Sequence, residues 1–232
     1  MVATPIGNLE DITLRAIRTL KECDIIACED TRHSRILLDH YAISGKPLLS
    51  FYSYNQFSRM TEIINELKSG KNIALICDSG TPGISDPGAI LASKAIDSGI
   101  TVESIPGPAA IISALVSSGL PTNGFVFLGF LPKKPGKIKK LLLSAANMEK
   151  TVIFYESPYR ILKTIQLCLE VFIENKFISK CVIARELTKK FEEFIRGDLQ
   201  SVYNSLSQRK EIKGELVVLL SLEAQTSGSC SE

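Results

Sequence analysis

The chain of 232 residues has no tryptophan, only two histidines and no apolar run that could span a bilayer. A spanning helix needs roughly 18 or more consecutive apolar residues. His33 and His40 are not spaced with cysteines or carboxylates as a metal site requires. We therefore expect no membrane association and no bound metal.

Paired cysteine motifs and targeting signals are also missing. The six cysteines form no C-x-x-C pair, and several lie inside apolar runs, where a thiol acts as a small core side chain. The N-terminal residues Met1–Pro5 lack the basic stretch and apolar segment of a signal peptide. These features predict a cytoplasmic protein with reduced thiols.

What is present indicates a globular protein, because 45% of the residues are hydrophobic and only 22% are charged. The formal net charge of +2 is unevenly distributed. Residues 1–120 carry ten basic and thirteen acidic side chains, and residues 121–232 carry seventeen basic and twelve acidic ones. The two parts thus have net charges of −3 and +5, so a polyanion is expected to meet the second part.

Short apolar runs alternate with helical patterns in the first half of the chain, which predicts a mostly parallel sheet covered on both faces. The predicted strands are Cys23–Cys28, Pro47–Phe51, Asn72–Cys77 and Ile100–Ile105. A helical pattern over 109–118 stops at Gly119, where we place the boundary between an N-terminal α/β domain (1–119) and a basic C-terminal mixed α/β domain (120–223). The Ser/Gly-rich tail 224–232 is predicted to be disordered.

Three Pro/Gly loops follow predicted strands of the first half, where open α/β sheets bind ligands. They are Pro5–Asn8, Asp78–Gly88 and Pro106–Pro108, and together they predict a rim that holds a nucleoside-like ligand through backbone groups. Neither of the glycine-rich phosphate or dinucleotide fingerprints is present. The alternative for the Asp78–Gly88 loop is a tight connection with Asp86 as a helix N-cap.

A dense polar cluster, 29–35, follows the predicted strand that ends at Cys28. One interpretation is substrate contact, with Arg32 and Arg35 on phosphates and with Glu29 or His33 as proton acceptor. The other is a capped helix start, in which Asp30 or Thr31 satisfies free N–H groups.

Polar groups at strand ends recur in the basic half. Glu156 and Arg160 follow one strand, and Arg185 with Glu186 ends another; these residues either serve substrate contact or pair as ions. Residues 133–140 hold five lysines and no acid, which suits a phosphate-contacting loop or a solvated helix start. Candidate side chains for contact with the phosphates of a polyanion are Arg32, Arg35, Lys133, Lys134, Lys137, Arg160 and Arg185.

Seven of these motifs, in order and spacing, resemble the ribosomal RNA small subunit methyltransferase I family of the tetrapyrrole methylase superfamily. They are Ala3–Leu9, Glu29–His33, Asp78–Pro82 with Ser85–Gly88, Pro106–Pro108, Gly129–Pro132, Tyr155–Pro158 and Arg185–Lys189. The resemblance runs from residue 2 to about residue 222. Relatives of this type begin with a complete apolar strand where this chain has only Met1 and Val2, so a late start or a frayed strand is expected.

The resemblance implies two α/β domains with a cofactor cleft between them, acting as a cytoplasmic homodimer. It implies S-adenosylmethionine-dependent 2′-O-methylation of a cytidine ribose in 16S rRNA of the small ribosomal subunit. Together with the loop analysis, it gives these expected cofactor contacts: Pro5, Asp78, Ser79, Gly80, Thr81, Ile84, Ser85, Pro108, Ala109, Ala110, Tyr155 and Glu156.

The identity of the proton acceptor stays open at this point. A ribose hydroxyl becomes a good nucleophile only as its proton leaves, and the candidates for accepting that proton are Glu29, His33 and Glu156. Two other functions remain possible: methylation of a tetrapyrrole, which the positive charge would also attract, and a non-catalytic RNA-binding assembly factor.

Overall fold

The computed structural model describes residues 1–224, which divide into two compact units, Met1–Ala109 and a second one from Ala110 onward. The first unit contains a parallel three-stranded sheet in the order β2-β1-β3. Its strands are β1 (Ile25–Cys28), β2 (Leu48–Ser50) and β3 (Ile73–Leu75). Its helices are a 3-10 turn (Leu9–Asp11), α1 (Leu14–Glu22), α2 (Thr31–His40), α3 (Gln56–Lys68) and α4 (Gly88–Asp97).

Apolar clusters cover both faces of this sheet, as the sequence predicts. One cluster joins Ile26 and Ile76 to buried residues of α1 and α2, including Leu20 and Leu37. The other joins Ala27 to residues of α3 and α4, including Ile63 and Leu91. Strands that are buried on both faces read as continuous apolar runs, which is why the sequence pattern identified them.

The strand predicted over Ile100–Ile105 is wrong. These residues form only an isolated bridge, in which Ile105 pairs in parallel with Val2. The backbone of this segment makes three hydrogen bonds with the N-terminal residues: the Met1 ammonium donates to the Glu103 carbonyl, Ile105 N–H donates to the Met1 carbonyl, and Ala3 N–H donates to the Ile105 carbonyl. The other end of the segment bonds to α4, because Ile100 N–H donates to the Ala95 carbonyl near the C-terminal end of that helix.

The second unit contains a mixed five-stranded sheet in the order β4-β5-β8-β6-β7. β4 and β5 are parallel, and all other neighbours are antiparallel. The strands are β4 (Phe125–Phe130), β5 (Thr151–Glu156), β6 (Phe177–Arg185), β7 (Glu193–Asp198) and β8 (Leu216–Ala224). The helices are α5 (Ala110–Ser118), α6 (Pro135–Ala146), α7 (Ile161–Glu174) and α8 (Leu199–Ser207).

The core of the second unit lies between this sheet and the helices α6, α7 and α8. Its fully buried members include Leu142 of α6, Phe154 of β5 and Ile165 of α7. α5 contacts β6 and β8, and for this reason the division between the units falls before α5 at Ala109/Ala110, whereas the sequence analysis placed it after Gly119.

The predicted tail begins one residue too early, because Ala224 is the last residue of β8. It pairs there with Phe177 of β6. The rest of that prediction, residues 225–232, lies outside the described residues.

Candidate functional site

The structure brings the three Pro/Gly loops of the first unit together. Thr4 and Gly80 exchange two backbone hydrogen bonds of 2.9 and 3.1 Å, and the Thr4 hydroxyl donates to the Cys77 carbonyl at 3.2 Å. The Thr81 hydroxyl donates to the Pro108 carbonyl at 3.0 Å, which ties the third loop to the second. The predicted rim is therefore a set of loops fixed by their own backbone groups.

Within the Asp78–Gly88 loop, the Asp86 carboxylate accepts hydrogen bonds from the N–H groups of Gly83 and Gly88 at 2.7–2.9 Å. The prediction of Asp86 as N-cap is wrong by one residue, because Pro87 occupies that position of α4. The side chain of Asp86 nevertheless shapes the entry to the helix through these bonds. Ile84, at 43% exposure, and Ser85 lie on the surface of the loop between Gly83 and Gly88.

Ser85 has a φ of +67°, a left-handed conformation that is uncommon for a residue with a Cβ. Strain of this kind persists where the surrounding structure determines the backbone, and it clusters at ligand-binding sites. The neighbouring Cys77 is not a reactive thiol, because burial raises its pKa to about 12. Among residues 1–224, no three His, Cys, Asp or Glu side chains converge to hold a metal ion.

Glu29 lies at the same edge of the sheet as this loop, since β1 and β3 are parallel neighbours. The next residue connects the two segments: Asp30 N–H donates to the Asp78 carboxylate at 3.1 Å. Burial and then the negative charge of Asp78 raise the pKa of Glu29 above its ordinary value. Glu29 is thus a half-buried carboxyl beside the candidate cofactor loop.

The remainder of the 29–35 cluster forms the start of α2, which is the capped helix that the sequence left as an alternative. Asp30 is the N-cap, accepting from Arg32 N–H at 2.8 Å, and it also pairs with the Arg32 guanidinium at 2.7 Å. That guanidinium lowers the pKa of Asp30 far below its ordinary value. His33 and Arg35 are exposed in the first turns of the helix.

Glu156, at the end of β5, is a buried carboxylate whose side chain has no exposed surface. It accepts hydrogen bonds from Ser157 N–H at 2.8 Å and from the Thr164 hydroxyl at 2.7 Å, and Arg160 approaches it to 3.4 Å. Arg160 also donates to the carbonyls of Leu131 and Pro132. The ion pair that the sequence analysis offered as an alternative for Glu156 and Arg160 is therefore present.

Arg185 is engaged as well, but with a partner other than Glu186. Its Nε lies 3.0 Å from Glu193 of β7, and Arg209 donates to the same carboxylate at 2.8 Å. These two arginines, Arg209 first, lower the pKa of Glu193 to about 2. Glu186 pairs with Lys189 at 3.0 Å.

The lysines of 133–140 differ from these arginines in being open to solvent. Lys133, Lys134 and Lys137 are exposed around the start of α6 and make no ion pair within the described residues. Lys139 is the member of the run that pairs, with Glu170 at 3.1 Å.

Sequence analysis gave no role to two residues that organise these sites. Thr4 bonds to Cys77 and Gly80, and Thr164 bonds to Glu156. Both are buried polar residues, at 2% and 3% exposure. A threonine carries little signal by itself, and each partner is brought close only by the fold.

Sequence comparison places the chain in a family. A family model described as Tetrapyrrole (Corrin/Porphyrin) Methylases matches residues 1–203. The Ribosomal RNA small subunit methyltransferase I of Hydrogenobaculum sp. (strain Y04AAS1) is 49% identical over 225 residues, covering 96% of this chain and 95% of that protein. The protein of the same name from Halalkalibacterium halodurans is 46% identical and covers 95% of this chain and 74% of its own.

Structure comparison agrees at the level of the fold. The uroporphyrin-III C-methyltransferase of Thermus thermophilus, in complex with S-adenosylhomocysteine, superposes with a TM-score of 0.63 at 16% identity, covering 94% of each chain. From the family model and the near-complete alignment with close relatives, we conclude that the chain belongs to the tetrapyrrole methylases and, among them, to the ribosomal RNA small subunit methyltransferase I family.

Proposed function

We propose that this protein transfers the methyl group of S-adenosylmethionine to the ribose 2′-hydroxyl of a cytidine in 16S rRNA. The observation that carries the proposal is the 49% identity, over almost the full length of both chains, to a protein named as an rRNA small subunit methyltransferase. The basic second half of the chain, with a net charge of +5, is suited to a polyanionic substrate.

The loops of the first unit fit a nucleoside cofactor. Thr4 and the Asp86 side chain form hydrogen bonds with the backbone of the Asp78–Gly88 loop, so the conformation of the loop is fixed before a ligand binds. Ile84 offers an exposed apolar side chain to a base or ribose, and Ser79 and Ser85 add exposed hydroxyls. A few polar groups beside an apolar contact on a preformed loop are typical of small-ligand sites. Binding of S-adenosylhomocysteine by the Thermus protein of the same fold supports this reading.

When bound, S-adenosylmethionine supplies an electrophilic methyl group attached to a sulfonium. The protein's part is to hold the ribose oxygen in line with that methyl group and to accept its proton. Glu29 is the proton acceptor that we favour, because its pKa is raised toward the working pH and its segment is tied to the cofactor loop by Asp78. The Glu156 carboxylate is already occupied by three donors.

We further propose that the protein works in the cytoplasm, on the small ribosomal subunit, as a homodimer. No helix among residues 1–224 combines the length and the apolar character needed to cross a bilayer.

The proposal is tested by incubating the protein with radiolabelled S-adenosylmethionine and small ribosomal subunits that lack the modification. We expect label in 16S rRNA that maps to a cytidine ribose and resists alkaline cleavage on its 3′ side. Label on a base would contradict the 2′-O assignment. In a parallel incubation with uroporphyrinogen, label in that compound but none in rRNA would favour tetrapyrrole methylation. No label in either substrate would favour a non-catalytic assembly factor.

A further inference from the structure

An aromatic cluster stands at the end of β4 and β5 in the second unit. The Tyr155 ring lies 5.0 Å from the ring of Phe127 and 5.3 Å from that of Phe130. Phe127 and Tyr155 are half-buried, whereas Phe130 is 61% exposed. A phenylalanine packed against a neighbouring ring, with most of its own surface in solvent, is a preformed stacking surface.

A β-bulge creates this cluster. Residues three apart on a regular strand point to opposite faces, so Phe127 and Phe130 should not contact the same ring. Here Phe127 pairs with Ile153 and Phe130 with Tyr155, so β4 advances three residues while β5 advances two. Gly129, with a φ of +65°, lies within this irregularity. The extra residue turns Phe130 onto the face of Phe127, and such bulges commonly redirect a side chain for function.

The backbone that follows Phe130 is fixed. Leu131 is buried in the core at 3% exposure, and Arg160 holds the carbonyls of Leu131 and Pro132. Arg160 is held in turn by the buried carboxylate of Glu156. The exposed Phe130 ring therefore projects from an immobilised segment, and a ligand that stacks on it loses little protein entropy.

Positive charge lies directly beyond this ring. Lys133, Lys134 and Lys137 follow Phe130 within seven residues, are exposed, and have no carboxylate partner in the described part of the chain. Single-stranded RNA is bound by this combination of a stacking ring and adjacent cations, since each base has a π-face and each phosphate a charge. The same lysines would repel one another across a contact between two copies of the chain.

We propose that Phe130 stacks on an unpaired base of the rRNA substrate while the lysines Lys133, Lys134 and Lys137 contact the flanking phosphates. This inference rests on the proposed function for the identity of the RNA. It assigns to Phe130 a role in substrate binding that is separate from methyl transfer. It also explains the Glu156–Arg160 pair, because Arg160 holds the backbone of Leu131 and Pro132, which directly follow Phe130.

The experiment compares Phe130→Leu, which keeps an apolar side chain but removes the ring, with Phe130→Trp, which restores an aromatic surface. Phe57→Leu is the matched control, because Phe57 is 71% exposed on α3 in the other unit. Equilibrium binding of small ribosomal subunits is measured by filter retention, and methyl transfer is measured separately. A stacked base contributes enough for about a 5- to 150-fold loss of affinity on removing the ring.

We expect Phe130→Leu to weaken subunit binding and raise KM by that factor. Its kcat at saturation and its affinity for S-adenosylhomocysteine should be unchanged. Phe130→Trp should bind subunits like the wild type. Equal binding by Phe130→Leu and Phe57→Leu would overturn the inference, whether or not methylation is observed. A change in oligomeric state of Phe130→Leu in light scattering would also overturn it, by assigning the ring to a protein interface. A wild-type protein that binds subunits without methylating rRNA would instead contradict the proposed function.

Discussion

Gly80 is the residue on which the candidate cofactor loop depends most directly. Its φ is +83°, and a Cβ built on it would lie 3.3 Å from Ile6 Cγ2 and 3.7 Å from the Pro108 carbonyl. We expect Gly80→Ala to cost about 1–2 kcal/mol of stability from the left-handed backbone. Because Ile6 and Pro108 belong to the other two loops, it should also weaken binding of S-adenosylhomocysteine in calorimetry.

Gly99→Ala separates these two effects. Gly99 has a similar φ of +74°, but nothing lies within 4 Å of its built Cβ. It should lose comparable stability in thermal unfolding and keep the wild-type affinity for S-adenosylhomocysteine. If Gly80→Ala also kept that affinity, the loop would not be the cofactor site.

Glu29→Gln is expected to raise stability at neutral pH while it lowers the rate of methylation. A carboxyl whose pKa is raised by folding binds its proton more tightly in the folded state, so its ionised form costs stability above that pKa. The gain in Tm of Glu29→Gln should therefore be present at pH 8 and vanish below the ordinary value of 4.5. Single-turnover methylation should fall by about a hundred- to ten-thousand-fold, the range for a general base.

Two other variants test whether the effects expected for Glu29→Gln are specific to Glu29. His33→Ala, at an exposed position on α2, should change neither Tm nor the single-turnover rate by a comparable amount. Glu156→Gln should lower Tm, because it disturbs a buried carboxylate held by Thr164 and Ser157. A wild-type rate for Glu29→Gln together with a lost rate for stably folded Glu156→Gln would reverse our assignment.

At the scale of elements, local pattern was a good guide where an element is defined by its own residues. The strands predicted over Cys23–Cys28, Pro47–Phe51 and Asn72–Cys77 contain β1, β2 and β3, since each is marked by its own short apolar run. The pattern failed at Ile100–Ile105, where Ile105 has only the short segment Met1–Ala3 to pair with. Strand formation there depends on a partner that lies far away in the sequence.

In the candidate site, too, the sequence predicted features that depend on local composition and did not predict contacts that depend on distant partners. Pro/Gly composition was enough to find the three loops, because it signals backbone access wherever the loop lies. It could not show that Asp86 accepts from Gly83 N–H in its own loop as well as from Gly88 N–H at the start of α4, or that Arg185 pairs with Glu193 instead of Glu186. These partners follow from the exact turn geometry and from strand pairing between β6 and β7.

The Arg185–Glu193–Arg209 network connects β6, β7 and the segment after α8, and it makes a testable contribution to stability. Folding lowers the pKa of Glu193 from 4.5 to about 2 through its hydrogen bonds with Arg209 and Arg185. Its stabilisation is therefore complete above pH 4.5 and is lost as the pH falls through about 2. We expect Glu193→Gln to cost about 1–2 kcal/mol at pH 7, allowing for solvent screening of this partly exposed carboxylate.

Urea unfolding at several pH values measures this difference. The gap between wild type and Glu193→Gln should be constant above pH 5, begin to shrink near pH 4.5 and go on shrinking toward pH 2. Glu174→Gln is the control, because Glu174 is exposed and makes no ion pair within the described residues, and it should change stability by less than about 0.5 kcal/mol at each pH. A gap that stays constant with pH would show that the network contributes through packing rather than charge.

For the whole molecule, the main property is the uneven charge, −3 over residues 1–120 and +5 over residues 121–232. Several cations of the basic part are not available to RNA, since Arg160, Arg185 and Arg209 are held by carboxylates. Lys133, Lys134 and Lys137, at the start of α6, are exposed and make no ion pair in the described part of the chain. The electrostatic part of RNA binding should thus depend on the lysines that make no ion pair within the described residues, and the run at the start of α6 is their densest group along the sequence.

The lysine run at the start of α6 predicts how RNA binding depends on salt. Each phosphate neutralised by the protein releases condensed counterions, so the logarithm of affinity falls with the logarithm of salt concentration by about 0.7 per contact on single strands. Replacing Lys133, Lys134 and Lys137 together by alanine should lower that slope by up to about 2 and weaken binding most at low salt. Binding to small ribosomal subunits over a series of KCl concentrations gives the slope directly.

A matched triple variant distinguishes local contact from the effect of net charge. Lys21, Lys68 and Lys94 are exposed on helices of the first unit, without ion pairs in the described part of the chain, and replacing them by alanine removes the same total charge. If the α6 lysines contact phosphates, only their removal flattens the slope, because a long-range effect of net charge is screened within about 10 Å at 0.1 M salt. Equal slopes for the two triple variants would place the RNA contacts elsewhere, and the arginines of α2, Arg32 and Arg35, would be the next to replace.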